Sequence, residues 1–347
     1  MERGLDVLIE PIVTVVIVAH NRKQDLREAI VSVRNQTYGK IEIVVVDNAS
    51  EDGSAEMVER EFPEAVLARE PCNTGPYGGR NKGIDRANGE ILYFLDDDKT
   101  LAPDALREVV GVMSEDQRIG VVASKVIDVR TGLLEWTVPP RAGQSADQGF
   151  FLGEVVDEGA LAVRRCVFED AGGWPAHYFR QSVGRELGLR VLSAGYDIWY
   201  CPGSVVYHKN SPLGDLSRDQ IEKEKHFYRV RNELWIAWTY LPLSRAILET
   251  GIKVLYHPLS SVPRGAFAHS VRGVASALRT IPRIVRFERS PLRPEILAKR
   301  DSLLYVGAVT SRDDLKRITQ PSSARMVVRR AQFLFTLTMG RAWRLKV

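Results

Sequence analysis

Short apolar runs that each end in polar residues constrain the fold of this 347-residue chain more than any other feature. The runs cover residues 12–18, 41–46 and 91–95, with a weaker one at 66–68, and stretches of helical spacing lie between them. Such runs are typical of strands buried on both faces, and the alternation favours a parallel sheet with helices on both faces. Because ligands bind beyond the carboxyl ends of such strands, the polar residues after each run are the candidate site.

Three adjacent carboxylates, Asp96, Asp97 and Asp98, follow the run at 91–95. Their mutual repulsion is costly unless a cation offsets it, and oxygen ligands suit Mg²⁺ or Mn²⁺ bridging to substrate phosphates. His208 follows a later apolar segment and would favour Mn²⁺ if the chain returns it to the triplet. The alternatives are a solvated acidic turn and a structural histidine.

Two further polar segments follow the other runs, at 47–54 and 73–83. Asp47 could accept an N–H from a nucleobase, although Asp, Asn, Ser and Gly are also common in strand-to-helix turns. In the second segment, glycines would let the backbone approach a ligand, and a helix N-terminus with Arg80 and Lys82 would favour a diphosphate. The spacing matches neither the dinucleotide-binding glycine motif nor the P-loop.

Taken together and in this order, these motifs resemble the family 2 glycosyltransferases, an inverting group with the GT-A fold, and especially its rhamnosyltransferase-like branch. The resemblance covers about residues 10–210. It depends on the segments 13–22, 44–54, 73–83, 94–98, 164–174, 190–196 and 205–208.

The resemblance implies a GT-A domain followed by a helical region, and a donor of the dTDP-rhamnose or UDP-sugar type. It also implies Mn²⁺ or Mg²⁺, and a hydroxyl acceptor on a lipid-linked or cell-envelope glycan. The residues it assigns to the donor are Ala19, Asn21, Asp47, Arg80, Asn81, Asp96 and Asp97. Those it assigns to the metal are Asp96 and Asp98, which form the DXD motif, and His208.

The catalytic base is where the sequence departs from the family, because the family's acidic pair falls here on Val183 and Gly184. Inverting transfer needs a base for the acceptor hydroxyl, and the nearest matching carboxylate is Glu186. Its alternative role is that of an ordinary acidic residue at a helix N-terminus. Asp157 and Glu158 are the reserve candidates. The aromatic residues Trp174, His177 and Tyr178 could line an acceptor site or pack in the core.

Other functions stay open at this point. One is a catalytically impaired nucleotide-sugar-binding or scaffold protein that acts through basic helices. Another is nucleotidyl transfer, but those enzymes usually carry a glycine-rich, lysine-bearing loop where this chain has residues 19–22.

The two parts of the chain differ in net charge. Residues 1–212 hold 23 Lys and Arg against 33 Asp and Glu, whereas residues 213–347 hold 25 against 11. We therefore expect a catalytic domain over 1–212 and a basic, mostly helical region over 213–347. Basic, aromatic-bearing helices, including a tail over 325–347, suit an anionic membrane surface; a solvated bundle or a homo-oligomer contact are the alternatives. No motif supports nucleic-acid binding.

The spacing of the cysteines and the length of the apolar runs bear on the cellular compartment. The three cysteines are widely spaced, which favours a reducing environment, and no secretory signal or run of about 18 apolar residues is evident. We expect a cytoplasmic protein, with a peripheral position on the inner face of the membrane as an alternative.

Overall fold

The computed structural model describes residues 10–135, 145–155, 157–211, 218–305 and 309–319. These residues form two compact units that are interleaved along the chain. The first unit comprises the described residues of 1–137, 157–176 and 200–214, and the second comprises those of 138–156, 177–199 and 215–347. A domain boundary at residue 212 stays a prediction. In the structure, the described residues of 138–156 and 177–199 cluster with those described after residue 214.

Nine strands lie in the described part of the chain: β1 Val13–Ala19, β2 Ile41–Asp47, β3 Val66–Arg69, β4 Ile91–Asp96, β5 Lys99–Leu101, β6 Ile119–Asp128, β7 Phe150–Leu152, β8 Ala160–Arg164 and β9 Asp197–His208. The order in the sheet is β3-β2-β1-β4-β8-β6-β9-β5, and β7 pairs with β9. Strand β9 is continuous over 12 residues and ends at His208.

The sheet is mixed. Strand β1 pairs in parallel with β2 and β4, and β2 with β3, as the sequence predicts. The β4–β8, β6–β8 and β5–β9 pairs are antiparallel. The parallel prediction depended on helices between successive strands, and that pattern ends at β4, which only two residues separate from β5.

Strand register brings the candidate site together at one sheet edge. Ala19, the last residue of β1, is paired with Asp47, the last residue of β2. On the other side of β1, Val18 is paired with Asp96, the last residue of β4. Because the three strands are parallel and in register, the polar residues that follow them leave the sheet at the same edge.

The helices of the first unit are α1 Lys23–Arg34, α2 Ser54–Glu61, α3 Gly75–Ile84, α4 Ala105–Glu115 and α5 Arg165–Asp170. Helix α1 buries Leu26, Ala29, Ile30 and Val33, the apolar face that its spacing predicts. Helix α5 had no counterpart in the sequence prediction.

The helices of the second unit are α6 Val183–Ser193, α7 Arg218–Tyr240, α8 Leu243–Ser261, α9 Phe267–Arg283, α10 Pro294–Tyr305 and α11 Arg312–Thr319. A 3₁₀ turn, Val262–Arg264, joins α8 to α9, and a π-helical turn, Ile284–Glu288, follows α9. Helices α7 and α8 are separated before Pro242, because a proline disfavours helical geometry in the residue preceding it.

Helices α7, α8 and α9 pack against one another in the second unit. None of the described helices combines the length and the apolar character that crossing a bilayer requires. The basic tail predicted over 325–347 lies outside the described residues.

Candidate functional site

The three aspartates lie where β4 turns into β5, and cationic side chains of the same unit offset their charge. Arg22 Nη1 lies 3.1 Å from Asp97 Oδ1 and 2.8 Å from Asp98 Oδ2. Asp96 contacts Arg80 Nη2 at 2.6 Å and Lys99 Nζ at 3.1 Å. The repulsion that the sequence predicts is therefore met by Arg22, Arg80 and Lys99, of which Arg22 and Lys99 were not predicted.

These contacts shift the pKa values of the carboxyl groups in different directions. Burial raises the pKa of Asp97 to about 7, in spite of the neighbouring Arg22. Burial also acts on Asp96, but Lys99 and Arg80 outweigh it and hold the pKa of that carboxyl well below its usual range. Asp98 also has a lowered pKa, because His208 and Arg22 outweigh its burial. The triplet thus divides into two firmly ionised carboxylates flanking one that titrates near neutral pH.

The fold returns His208 to the triplet, as the metal prediction requires. Strand β9 pairs with β5 so that His208 is opposite Lys99, the residue after Asp98. His208 Nε2 lies 3.4 Å from Asp98 Oδ2, and Nδ1 lies 2.7 Å from Glu135 Oε2. Burial alone would lower the pKa of His208, but hydrogen bonds with the two carboxylates raise it to about 9.

The donor set can be compared with the needs of a divalent cation. Among the described residues, no three His, Cys, Asp or Glu side chains converge as a preformed metal site. Asp98 and His208 nevertheless provide adjacent oxygen and nitrogen donors, which suit Mn²⁺. Ions of this kind are commonly held by one or two protein side chains together with substrate phosphates. The pair fits that pattern, whereas Asp96 faces Arg80 and Lys99 instead.

The loop after β2 holds a buried carboxylate whose hydrogen-bonding capacity is only partly used. Asp47 Oδ2 accepts the Ser50 N–H at 3.4 Å. Its other oxygen, Oδ1, is buried and accepts no hydrogen bond from the described residues. Asn21 is close by in the same network, since its N–H donates to Ser50 Oγ and its Oδ1 accepts the Glu51 N–H. A buried unpaired acceptor is unfavourable, so a ligand donor at Asp47 would stabilise the site.

Asn48 organises the loop, a role that the sequence analysis missed. Its Nδ2 donates to Asn73 Oδ1 at 3.0 Å and to the Gly75 carbonyl at 3.1 Å. Its Oδ1 accepts both the N–H and the hydroxyl of Thr74. Asn48 therefore joins the end of β2 to the start of α3. Its position directly after Asp47 was the available signal.

The glycine-rich segment serves helix packing rather than only ligand approach. A Cβ on Gly79 would overlap Val18, and one on Gly83 would overlap Val16, both on β1. These glycines are four residues apart and thus on one face of α3, which they allow to lie close against the strand. The expectation that glycines open the backbone to a ligand is therefore replaced at these two positions by close helix–sheet contact.

Arg80, Asn81 and Trp174 form one buried arrangement. The Arg80 guanidinium lies 5.2 Å from the Tyr77 ring centroid and 5.3 Å from that of Trp174. Asn81 donates to the Trp174 carbonyl at 2.8 Å and accepts the Trp174 N–H at 3.1 Å. Trp174 also packs edge-on to Phe94 and is buried. Of the two alternatives for Trp174, its described contacts are those of core packing, and Asn81 is directed to it.

Glu186 belongs to the second unit, in the first turn of α6, and is buried. Arg190 binds both of its carboxylate oxygens, at 2.8 and 2.6 Å, and the Tyr240 hydroxyl donates to Oε1. The reserve candidate Asp157 belongs to the first unit and is ion-paired with Lys99 at 2.6 Å. Glu158, also in the first unit, is near enough to Arg80 to contribute to its raised pKa. Which carboxylate acts as base stays a prediction.

The loop before α6 carries the two other aromatic candidates and is held in an unusual conformation. Tyr178 is buried, and burial lowers the pKa of His177. Phe179, Gln181 and Ser182 have positive φ angles of 62°, 66° and 63°. Asn232 Nδ2 donates to the carbonyls of Tyr178, Arg180 and Gln181. The buried Asn232 amide thus binds carbonyls within and beside the positive-φ segment, and an acceptor role for His177 and Tyr178 stays a prediction.

Comparison with known proteins gives one family. Residues 14–168 match the model of glycosyl transferase family 2. Glycosyltransferase AglE of Haloferax volcanii is 28% identical over 232 residues, which cover 62% of this chain and 72% of that protein. A GalNAc(5)-diNAcBac-PP-undecaprenol beta-1,3-glucosyltransferase of Campylobacter jejuni is 32% identical over 109 residues, covering 30% of this chain and 35% of the relative.

A structural comparison gives the fold. The crystal structure of GalNAc-T7 with UDP, GalNAc and Mn²⁺ superposes with a TM-score of 0.57 at 17% identity, covering 81% of this chain and 55% of that one. The chain has the GT-A fold, with a mixed sheet, helices on both faces and a helical C-terminal region. The resemblance to family 2 is confirmed, and the rhamnosyltransferase-like branch stays a prediction.

Proposed function

Because residues 14–168 match glycosyl transferase family 2 and the chain has the GT-A fold, we propose that this protein moves a sugar from a nucleoside-diphosphate donor to a hydroxyl acceptor, with inversion. The observation that carries the proposal is the register of three strand ends. Ala19 and Asp47 end neighbouring strands, and Asp96 ends the strand on the other side of β1. This register supports a nucleobase-binding role for the buried Asp47 and a metal-binding role for the acidic triplet at the same sheet edge.

The donor nucleotide in this proposal is a uridine or thymidine diphosphate. The unpartnered Asp47 Oδ1 would accept the N3–H that uracil and thymine share, while Ala19 and Asn21 would line the same pocket. Asp97 would accept from the ribose or the sugar. Arg80 would support the site through Asp96 rather than by direct contact, since it is buried against that carboxylate.

Asp98 and His208 would hold a divalent cation, with Asp96 as a further candidate ligand. When bound, such an ion stabilises the negative charge of the leaving diphosphate. Arg22 balances the charge of Asp97 and Asp98 when no donor is present. Glu135 fixes the ring of His208 through Nδ1, which leaves Nε2 facing Asp98.

Glu186 is proposed as the base. As the acceptor oxygen bonds to the anomeric carbon, its proton would pass to the Glu186 carboxylate, and the bond between that carbon and the diphosphate oxygen would break. Both Glu186 oxygens are engaged in the structure, so Arg190 and Tyr240 must release one of them. Asp157 and Glu158 remain the alternatives.

The acceptor proposed is a glycan, either lipid-linked or part of the cell envelope. The name of the Campylobacter jejuni relative describes a glucosyltransferase acting on an undecaprenol-linked oligosaccharide, which supports this class. The donor sugar is left to experiment, because the residues assigned to the donor would contact the nucleotide and the metal more than the hexose.

The proposal is tested by calorimetric titration of UDP, dTDP, GDP and CDP with Mn²⁺ or with EDTA. We expect UDP or dTDP to bind at least tenfold more tightly with Mn²⁺ than with EDTA. Absence of binding by every nucleotide in both conditions would overturn the proposal.

A further inference from the structure

Helix α8 buries its charged face and exposes its apolar face, which is the reverse of an ordinary surface helix. Its charged residues point into the second unit: Arg245 lies 2.8 Å from the fully buried Asp301, and Lys253 lies 3.3 Å from Glu233. Glu249 contacts both Arg245 and Lys253. These three α8 side chains are only 18–22% exposed. A surface helix normally buries its apolar face and exposes its charges.

The exposed face of α8 is apolar. We call it the α8 face, and it consists of Leu243, Ile247, Leu248, Leu255, Leu259 and, at the end of the helix, Val262, each 53–68% exposed. Steps of four and seven residues place them on one side of the helix. A contiguous exposed row of this kind marks an interaction surface, since isolated exposed apolar residues are ordinary but a continuous stripe is not.

Helix α9 and the π-helical turn after it, which holds Val285 and Arg286, add positive charge beside a second apolar row. Phe267, Val271, Leu278 and Val285 are 42–48% exposed and recur at intervals of four and seven. Four exposed arginines, Arg272, Arg279, Arg283 and Arg286, recur at similar intervals and lie beside that row. With 3.6 residues per turn the two rows lie about a third of a turn apart, so side chains of both kinds reach solvent on adjacent sides of this segment.

Charge identifies the partner. Residues 243–287 contain seven Lys and Arg but a single acidic residue, Glu249, which is paired inside the unit. A second copy of this chain would bring the same arginines to the contact and would be repelled. A bilayer with anionic lipids offers phosphates for the arginines and a hydrocarbon boundary for the apolar rows.

We propose that α8 and α9 form a docking surface for an anionic phospholipid bilayer. Each helix lies in the plane of the headgroups, with the α8 face inserted and the α9 arginines on lipid phosphates. The docking does not depend on the transfer reaction. If the proposed function also holds, docking keeps the enzyme where a lipid-linked acceptor is found.

Vesicle sedimentation of the full-length chain tests the proposal. We expect it to bind vesicles of phosphatidylcholine and phosphatidylglycerol at a 7:3 ratio, and to bind pure phosphatidylcholine far more weakly. Leu255→Ser with Leu259→Ser should weaken binding about tenfold or more, because two inserted side chains are lost. Arg279→Gln with Arg283→Gln should weaken it and reduce its salt dependence.

Matched controls come from the first unit. Leu133 is 68% exposed, as is Leu255, and Arg60 is exposed as Arg279 is, so Leu133→Ser and Arg60→Gln should leave binding unchanged. Thermal unfolding of each variant reports whether it is folded. Binding that is absent in wild type, or unchanged in both α8 and α9 variants, would overturn the proposal. Concentration-dependent self-association without lipid that Leu255→Ser abolishes would overturn it in favour of a second copy.

Discussion

Arg22 and Asp98 form an ion pair of 2.8 Å at the edge of the sheet, on the same carboxylate oxygen that faces His208. The guanidinium therefore occupies the side of Asp98 from which a divalent cation would be attracted. Both side chains are about nine-tenths buried, so the pair is well shielded from solvent. A cation in this site and Arg22 thus compete for the same negative charge.

Arg22→Gln should lower the stability of the metal-free protein and increase the stabilisation that Mn²⁺ provides. Removing one member of a buried ion pair costs about 3–5 kcal/mol, because the remaining carboxylates stay desolvated. Urea unfolding with and without Mn²⁺ measures both effects. Arg22→Lys, which keeps the charge, serves as the control. Equal responses to Mn²⁺ in wild type and Arg22→Gln would contradict the competition.

Asp47→Asn should weaken binding of UDP or dTDP by about tenfold to a hundredfold, the cost of losing one buried hydrogen bond to a charged acceptor. The substitution is isosteric, and Oδ1 accepts no bond from the described residues, so we expect the fold to be retained. Calorimetric titration measures the affinity. Asp85→Asn, at an exposed position at the end of α3, is the control. Unchanged affinity in Asp47→Asn would remove Asp47 from the base pocket.

Glu186→Gln should reduce the rate of sugar transfer at least a hundredfold while leaving donor affinity unchanged, because general-base catalysis contributes about that much. Asp157 is an alternative candidate for the catalytic base, so the transfer rate of Asp157→Asn is measured under the same conditions. Initial rates with a lipid-linked acceptor and calorimetry with the donor separate the two effects. A Glu186→Gln enzyme that turns over normally would transfer the role to Asp157 or Glu158.

Gly79→Ala should destabilise the protein by about 1–3 kcal/mol, because the added methyl group would overlap Val18 where α3 lies against β1. Gly111→Ala is a matched control in helix α4, where a Cβ would meet no atom within 4 Å. That change should stabilise the helix by about 0.5–1 kcal/mol. Chemical denaturation measures both. If the two variants shift stability in the same direction, Gly79 has no packing role.

Lowering the pH should reduce the stability of the second unit, because Glu249 becomes protonated. Burial alone would raise the pKa of this group, but Lys253 and Arg245 lower it from 4.5 to about 2. A carboxyl with a depressed pKa in the folded state stabilises the protein fully above its unfolded pKa, and the contribution is lost as pH falls from 4.5 towards 2. That contribution is about 3 kcal/mol.

Urea unfolding at several pH values compares wild type with Glu249→Gln. The stability difference should be large at pH 7 and should shrink below pH 4.5. Glu295→Gln changes an exposed carboxylate of the same unit and should show no such trend. A pH-independent difference for Glu249→Gln would contradict the assignment.

The sequence predicts the strand ends well, because a buried strand needs a continuous apolar run. The polar residues that follow the run must then lie at the edge of the sheet. The positions of Asp47 and the aspartate triplet follow from that alone, whereas the approach of His208 to the triplet depends on the pairing of β5 with β9. The ion pairs of Arg22 and Lys99 with the triplet could not be predicted, because they depend on how side chains pack at the sheet edge, which no local pattern encodes.

Two other features were ambiguous for physical reasons. Gly79 and Gly83 lack a side chain, which would allow close approach of either a ligand or a strand. Only the packing of α3 on β1 distinguishes the two. Periodicity identifies α8 as amphipathic without specifying which face is buried. The usual expectation of a charged outer face is wrong here, because Glu233 and Asp301 supply counter-charges inside the unit.

The central claim, transfer from a nucleoside-diphosphate sugar, is tested most directly by measuring nucleoside diphosphate release. Wild type and Asp98→Asn are incubated with Mn²⁺, a lipid-linked acceptor and a panel of UDP- and dTDP-sugars. The account predicts release with at least one donor by wild type, and at least a hundredfold less by Asp98→Asn. Release that is equal in the two proteins, or absent with every donor, would contradict it.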